Sequence, residues 1–125
     1  MKNTFLVGLG GFIGSALRYL IEGWVHALVD KPWFPYGTLA VNSLGCLLIG
    51  FLAGLSEIRQ VFGPEVRLFL FLGILGGFTT FSSFAYETFS FGRNAQILTA
   101  SMNVALQLIL GFTGVWLGHV LSRLM

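Results

Sequence analysis

Four apolar stretches, each about as long as a bilayer-spanning helix, occupy most of this 125-residue chain; they run over residues 5–29, 37–55, 66–86 and 97–121. A helix crosses the hydrocarbon core in about 20 residues. Four such helices leave no room for an extramembrane domain. The stretches are continuously apolar, not alternating with period two, which argues against a membrane β-barrel. With 10% of residues charged and a mean hydropathy of +0.83, a soluble domain is equally disfavoured. Cys46 is the single cysteine, so there is no disulfide framework. The dispersed net charge of +2 offers no surface to a nucleic acid.

The pattern predicts one all-α transmembrane domain over 1–125, with helices over about 4–29, 37–56, 66–86 and 97–122. The pieces between them, 30–35, 57–65 and 87–96, are polar or turn-rich. Connections this short make sequential helices antiparallel, and an even count puts both termini on one side. Lys2 followed by apolar residues invites a signal-peptide reading, but Arg18 and Glu22 stand where a small-residue cleavage site belongs. Each stretch carries a pair of glycines four apart: Gly10 and Gly14, Gly50 and Gly54, Gly73 and Gly77, Gly114 and Gly118. Such pairs let helix backbones approach closely in lipid, where no hydrophobic force drives association.

Orientation normally follows the Lys and Arg residues of short loops. Here Lys2, Arg59, Arg67 and Arg123 on one side face Arg18, Lys31 and Arg93 on the other. Four against three is hardly a bias, and it predicts insertion both ways round. Two oppositely inserted copies can pair about a twofold axis in the membrane plane, giving an antiparallel dual-topology homodimer. A single orientation set by one or two dominant charges is the plainer alternative.

The segment Gly73 to Phe84 holds Gly73, Gly76 and Gly77 followed by Thr79 and Thr80. Each glycine costs a helix about 1 kcal/mol relative to Ala, and Thr hydroxyls can bond back to earlier carbonyls. A helix break near 76–80 follows, at mid-membrane depth. Irregular backbone is tolerated there only if buried in protein or lining a polar cavity. Carbonyl oxygens freed by the break are ready cation ligands, and a twofold axis through it would make an oxygen cage. A kink serving packing alone explains the glycines equally well.

Phe81 and Phe84 lie three apart beyond the break, with Ser82 and Ser83 beside them, and ring edges are electropositive. Asn42 stands mid-way along the second stretch, and Asn103 and Gln107 share a face of the fourth. Single buried amides usually just link helices. Together, in an interior without acids, they point to a path for a small anion, which needs donors because a bare charge in hydrocarbon is prohibitive. Arg18, sixteen residues after Lys2, falls near the far interface, either snorkelling or pairing with Glu22, or drawing anions to a vestibule. No cluster of His, Cys or carboxylates suggests catalysis, and His26 and His119 lie near the ends of different stretches.

Three motifs carry a resemblance across the whole chain: Gly10-Gly11-Phe12-Ile13-Gly14 leading to Arg18-Tyr19, Gly37-Thr38-Leu39 leading to Asn42, and Gly76-Gly77-Phe78-Thr79-Thr80-Phe81-Ser82-Ser83-Phe84 leading to Glu87. In these the chain resembles the Fluc-type bacterial fluoride channels, also called the CrcB family. The resemblance implies a dual-topology homodimer with two antiparallel fluoride pores, and a structural sodium ion, not transported, on the twofold axis. Carried across, the Gly76 and Thr79 main-chain carbonyls would hold sodium, Phe81 and Phe84 would line the pore, and Asn42 would be its amide. Ser83 would belong to a hydroxyl rail; Arg18, Thr38 and Glu87 match positions near vestibules or helix ends. On the fourth helix some members carry Tyr or His and Ser where Asn103, Gln107 and Gly111 stand here.

The expected function is therefore passive fluoride export across the bacterial cytoplasmic (inner) membrane, by a multi-pass channel embedded in the lipid bilayer and not an enzyme. The alternative, a small multidrug-type proton-coupled antiporter, needs an acid midway along the first helix, and Glu22 stands too near its end.

Overall fold

The computed structural model describes residues 1–29 and 33–125. Residues 30–32, with Lys31 of the charge comparison, lie outside it. The elements are α1 (Lys2–Leu28), α2 (Tyr36–Arg59), α3 (Pro64–Arg67), a π-helical segment (Leu68–Leu75), α4 (Gly76–Phe78), α5 (Phe81–Arg93) and α6 (Ile97–Arg123). Four helices are long and apolar enough to cross a membrane: α1, α2, the composite Pro64–Arg93 and α6.

Local chemistry explains the ends. Gln60, with φ at 49°, terminates α2 in the left-handed region. Gly63 precedes Pro64, which opens the third span at the first helical position, where its missing N–H costs nothing. After α5, Ala95 takes a φ of 59°, and the Gln96 N–H returns to the Phe91 carbonyl at 2.9 Å, closing the helix before α6 begins.

The third span does not stop at Tyr86 as its apolar run predicts, nor does Glu87 close it. The helix continues to Arg93. Its polar residues are tolerated because other helices bond them: Glu87 accepts from the Thr38 hydroxyl at 2.5 Å, and the Thr88 hydroxyl accepts from Asn103 at 2.9 Å. Arg18 and Glu22 form no ion pair either. Among the described residues the one ion pair joins Lys2 to Glu65 at 2.6 Å, tying the starts of α1 and α3. On the same side Arg59 donates to the main-chain oxygen of Met125.

The bundle is two parallel pairs. α2 lies along α6 in the most extensive interface, and α1 lies along the π-helical segment and α4. All four glycine pairs sit at these seams. Gly10 and Gly14 face Gly73 and Ile74, while Gly77 faces Gly11. Gly50 faces Val115, Gly54 faces Ser122, Gly114 faces Ser43 and Gly118 faces Leu47. The interior is correspondingly small: among the described residues Phe34, Val41, Leu75 and Phe78 are its buried apolar side chains, beside the buried polar Thr38, Ser56, Thr80, Asn103 and Ser122. Large apolar residues such as Phe5, Phe12, Trp24, Phe112 and Trp116 point outward, the arrangement lipid rewards.

A methyl on Gly10 would sit 2.6 Å from the Phe69 carbonyl oxygen, and one on Gly77 would sit 2.6 Å from that of Gly11. Both obstacles are backbone and cannot rotate away. Gly10→Ala and Gly77→Ala are expected to destabilise the protein by at least about 1–3 kcal/mol, read as a lower unfolding midpoint in detergent. Gly8→Ala, which meets nothing within 4 Å, is expected to leave the midpoint level or raise it.

Candidate functional site: an opened backbone beside two amides

Between α4 and α5 the chain leaves the helix for two residues. Thr79 has φ −81° and ψ 155°, and Thr80 has φ −145° and ψ 109°. Both are extended. The π-helical turns that precede them are wider than α and recur at functional sites.

The redirected donors can be followed one by one. The Thr80 N–H, which in an unbroken α-helix would bond the Gly76 carbonyl, goes to the Asn42 side-chain oxygen at 2.8 Å. The Ser83 N–H, which would bond the Thr79 carbonyl, goes to the Thr80 hydroxyl oxygen at 3.2 Å. Gly76 and Thr79 therefore both lose their ordinary helical donors. The Thr80 carbonyl is taken by Asn42 Nδ2 at 3.1 Å. Asn42 thus pairs with both polar groups of one extended residue, replacing what the helix gave up.

Thr80 is also the N-cap of α5, and its hydroxyl lies 3.0 Å from that of Ser83. Thr79 bonds backwards instead: its N–H and its hydroxyl both donate to the Leu75 carbonyl, each at 3.0 Å. Gly45 on α2 leaves the space that the Thr79 methyl occupies.

An open cleft of about 330 Å³ lies at this point, and Asn42, Gly76, Thr79, Phe81, Phe84 and Gln107 all reach it. The Phe81 and Phe84 rings meet edge to face, 5.5 Å between centroids at 69°. Phe81 is 78% exposed in the single chain and Gly76 is exposed too, whereas Thr80 is buried. Asn42 Nδ2 also donates to Gln107 Oε1 at 3.1 Å. Gln107 Nε2 is buried with no partner.

The remaining expected residues form a second cluster. Asn103 is fully buried against Thr88, with its own oxygen unpartnered, and Thr38 holds Glu87, whose other oxygen is buried and unpartnered. Arg18 is half-buried on α1 and hydrogen-bonds to none of these. The structure also brings in residues that sequence reasoning did not place in the site. Thr80 is the chief one, and the spacing Thr80-x-x-Ser83 ahead of a helix is the N-cap signal that could have found it. Thr88 and Gly45 had no local signal, because both are defined by partners on other helices.

Among the described residues, no three His, Cys, Asp or Glu side chains converge. A cation here would need neutral oxygens, and the Gly76 and Thr79 carbonyls are such oxygens. The arrangement can thus offer carbonyls to a cation, and donors with ring edges to an anion.

Comparison with known proteins shows the family. Residues 5–119 match the family described as CrcB-like protein, Camphor Resistance (CrcB). The chain belongs to the CrcB family. A relative from Elusimicrobium minutum, named fluoride-specific ion channel FluC, is 44% identical, with 99% of this chain and 96% of the relative aligned. Relatives of the same name from Clostridium novyi and Geotalea daltonii are 42% and 39% identical, covering 97% and 98% of this chain and 94% and 98% of their own lengths.

Removing the Thr80 hydroxyl should cost the α5 cap. Thr80→Val is expected to destabilise by about 0.5–2 kcal/mol, measured by unfolding in detergent, whereas Thr80→Ser is expected to lose less than half of that.

Proposed function

We propose that this protein is a fluoride channel of the cytoplasmic membrane, a multi-pass, dual-topology homodimer that lets fluoride leave passively down its electrochemical gradient. The observation that carries the reading is the cleft at Thr79–Thr80. There, opened backbone, neutral amides and paired phenyl edges meet without a fixed charge, in a chain whose relatives bear the name of fluoride-specific channels.

The physics favours a small anion that accepts hydrogen bonds strongly. Fluoride gives up part of its hydration shell only where donors replace it. Phe81 and Phe84 offer ring edges, Ser83 a hydroxyl and Gln107 an amide, none of which holds the ion as tightly as an arginine would. Arg18 and the Thr38–Glu87 pair then belong to vestibules or helix ends, and Asn103 to the polar line of α6. A cell with a negative interior would expel fluoride that had entered as neutral HF and dissociated.

The same break supports a dimer with a cation. Gly76 is exposed at mid-span, and its carbonyl and that of Thr79 have lost their helical donors. A second, inverted copy brought against this face would complete an oxygen set suited to a hard ion. Sodium held there supplies the positive charge that the converging carbonyl dipoles require. The near-even loop charges support insertion in both orientations. Proton antiport has no support: Glu22 lies near the end of α1, and the relatives are named channels.

The reading is tested in liposomes loaded with potassium fluoride or potassium chloride, with valinomycin added to release the potassium. Fluoride efflux without matching chloride efflux is expected; equal efflux of both, or none of fluoride, would overturn it. Phe81→Ile and Phe84→Ile are each expected to slow fluoride by roughly fivefold or more, the kinetic equivalent of ~1 kcal/mol of ring-edge interaction. Unchanged rates in both variants would take the rings out of the pathway.

A further inference from the structure

We propose that the groove at the start of the third span binds one anionic phospholipid per chain, its phosphate on Arg67 and an acyl chain along Leu68, Phe71 and Leu72. The site requires only that the chain spans a bilayer, so it stands apart from the fluoride reading above.

Its key is a cation turned inward. The third span enters the bilayer at Pro64, and Arg67 is exposed at the end of its first turn. A long basic side chain so placed ordinarily snorkels outward to water. Here the guanidinium lies over the ring of Phe71, one turn deeper, 6.0 Å from its centroid. The ring face attracts the cation but leaves most of its five N–H donors free. Glu65, two residues earlier, projects from another side of the helix and is held by Lys2 in the one ion pair among the described residues. Arg67 thus carries its charge to the edge of the hydrocarbon without a carboxylate, where a charge calls for a counter-ion.

The floor beneath it is apolar. Phe62, Pro64, Leu68, Phe71 and Leu72 line, with Arg67, an open groove of about 710 Å³. Their spacing by three and four runs it down one helix face, roughly 12 Å from Pro64 to Leu72 at 1.5 Å per residue. One leaflet of hydrocarbon is about 15 Å deep, half of the full core. A guanidinium at the mouth and an apolar floor one leaflet long match the headgroup phosphate and acyl chain of a phospholipid. Guanidinium pairs with phosphate through two parallel hydrogen bonds, and a headgroup without its own ammonium leaves that phosphate to Arg67. A second, inverted copy is the poorer occupant. Among the described residues, the acids that inversion brings to this side are Glu22 and Glu87, and both are turned inward, Glu22 against Gly37 and Glu87 onto Thr38. At its deep end Phe71 also borders the cleft at the helix break, so the acyl chain ends beside that cleft.

The test is photolabelling of the wild-type protein in liposomes, with phosphatidylglycerol or phosphatidylcholine carrying a diazirine in one acyl chain and labelled peptides read by mass spectrometry. Residues 62–72 are expected to take at least about fivefold more label from the phosphatidylglycerol probe, the preference one basic residue gives at an anionic surface. Excess unlabelled phosphatidylglycerol is expected to suppress that label, and unlabelled phosphatidylcholine is not. Arg67→Gln is expected to lower it to the phosphatidylcholine level. Arg123 is exposed on the same side but outside the groove, and Arg123→Gln is expected to leave the label unchanged. Equal labelling by both probes, an equal loss in both variants, or no label over 62–72 because a second copy covers the groove would each overturn the proposal. Competition in the wild-type protein decides the matter even where Arg67→Gln fails to fold.

Discussion

Everything in this molecule turns on the rule that a backbone N–H or C=O at hydrocarbon depth must find a partner inside the protein. Most of the chain obeys it by being helical. At Thr79 and Thr80 the helix is relinquished, and the groups it would have satisfied are redistributed. Asn42 takes both polar groups of Thr80, and the Thr80 hydroxyl takes the first donor of α5. What remains is a pair of carbonyls, those of Gly76 and Thr79, without their helical donors. An opening repaired on one side only is how a membrane helix acquires chemistry without a charged residue.

Close packing makes the opening affordable. The side chain of Asn42 reaches Thr80 because α1 and the third span touch backbone to backbone at Gly10, Gly73 and Gly77, and α2 and α6 do so at Gly50 and Gly118. Larger residues at these seams would push the helices apart, and hydrogen bonds near 3 Å would lengthen past usefulness. The glycine seams and the polar cleft are thus one design, in which small residues bring amides on α2 and α6 within reach of a strand-like turn in the third span.

The four spans are legible in the sequence because hydropathy over a helix length reports directly on what lipid tolerates. The glycine pairs are legible for the same reason: spacing of four puts both on one face. The far end of the third span is not. Glu87 and Thr88 read as the start of a loop, yet the helix runs on to Arg93 because Thr38 and Asn103, distant in sequence, bond them. Of the roles the sequence leaves open to Arg18, pairing with Glu22 one turn on is not realised. At the cleft, Asn42, Phe81, Phe84 and Gln107 stand out as polar or aromatic residues in apolar runs. Their hydrogen-bond partners do not, since Thr80 and Gln107 come alongside Asn42 only in the fold. Long-range geometry decides that, and one-dimensional patterns do not contain it.

The proposed dimer would complete the Gly76 and Thr79 carbonyls of one chain with those of an inverted second copy around a single ion. Its most direct test is sodium titration into detergent-solubilised protein prepared in a large organic cation, with bound sodium counted against protein concentration. Saturable uptake of one sodium ion for every two chains is expected. Uptake of one per chain, or none at all in protein that still passes fluoride, would contradict it.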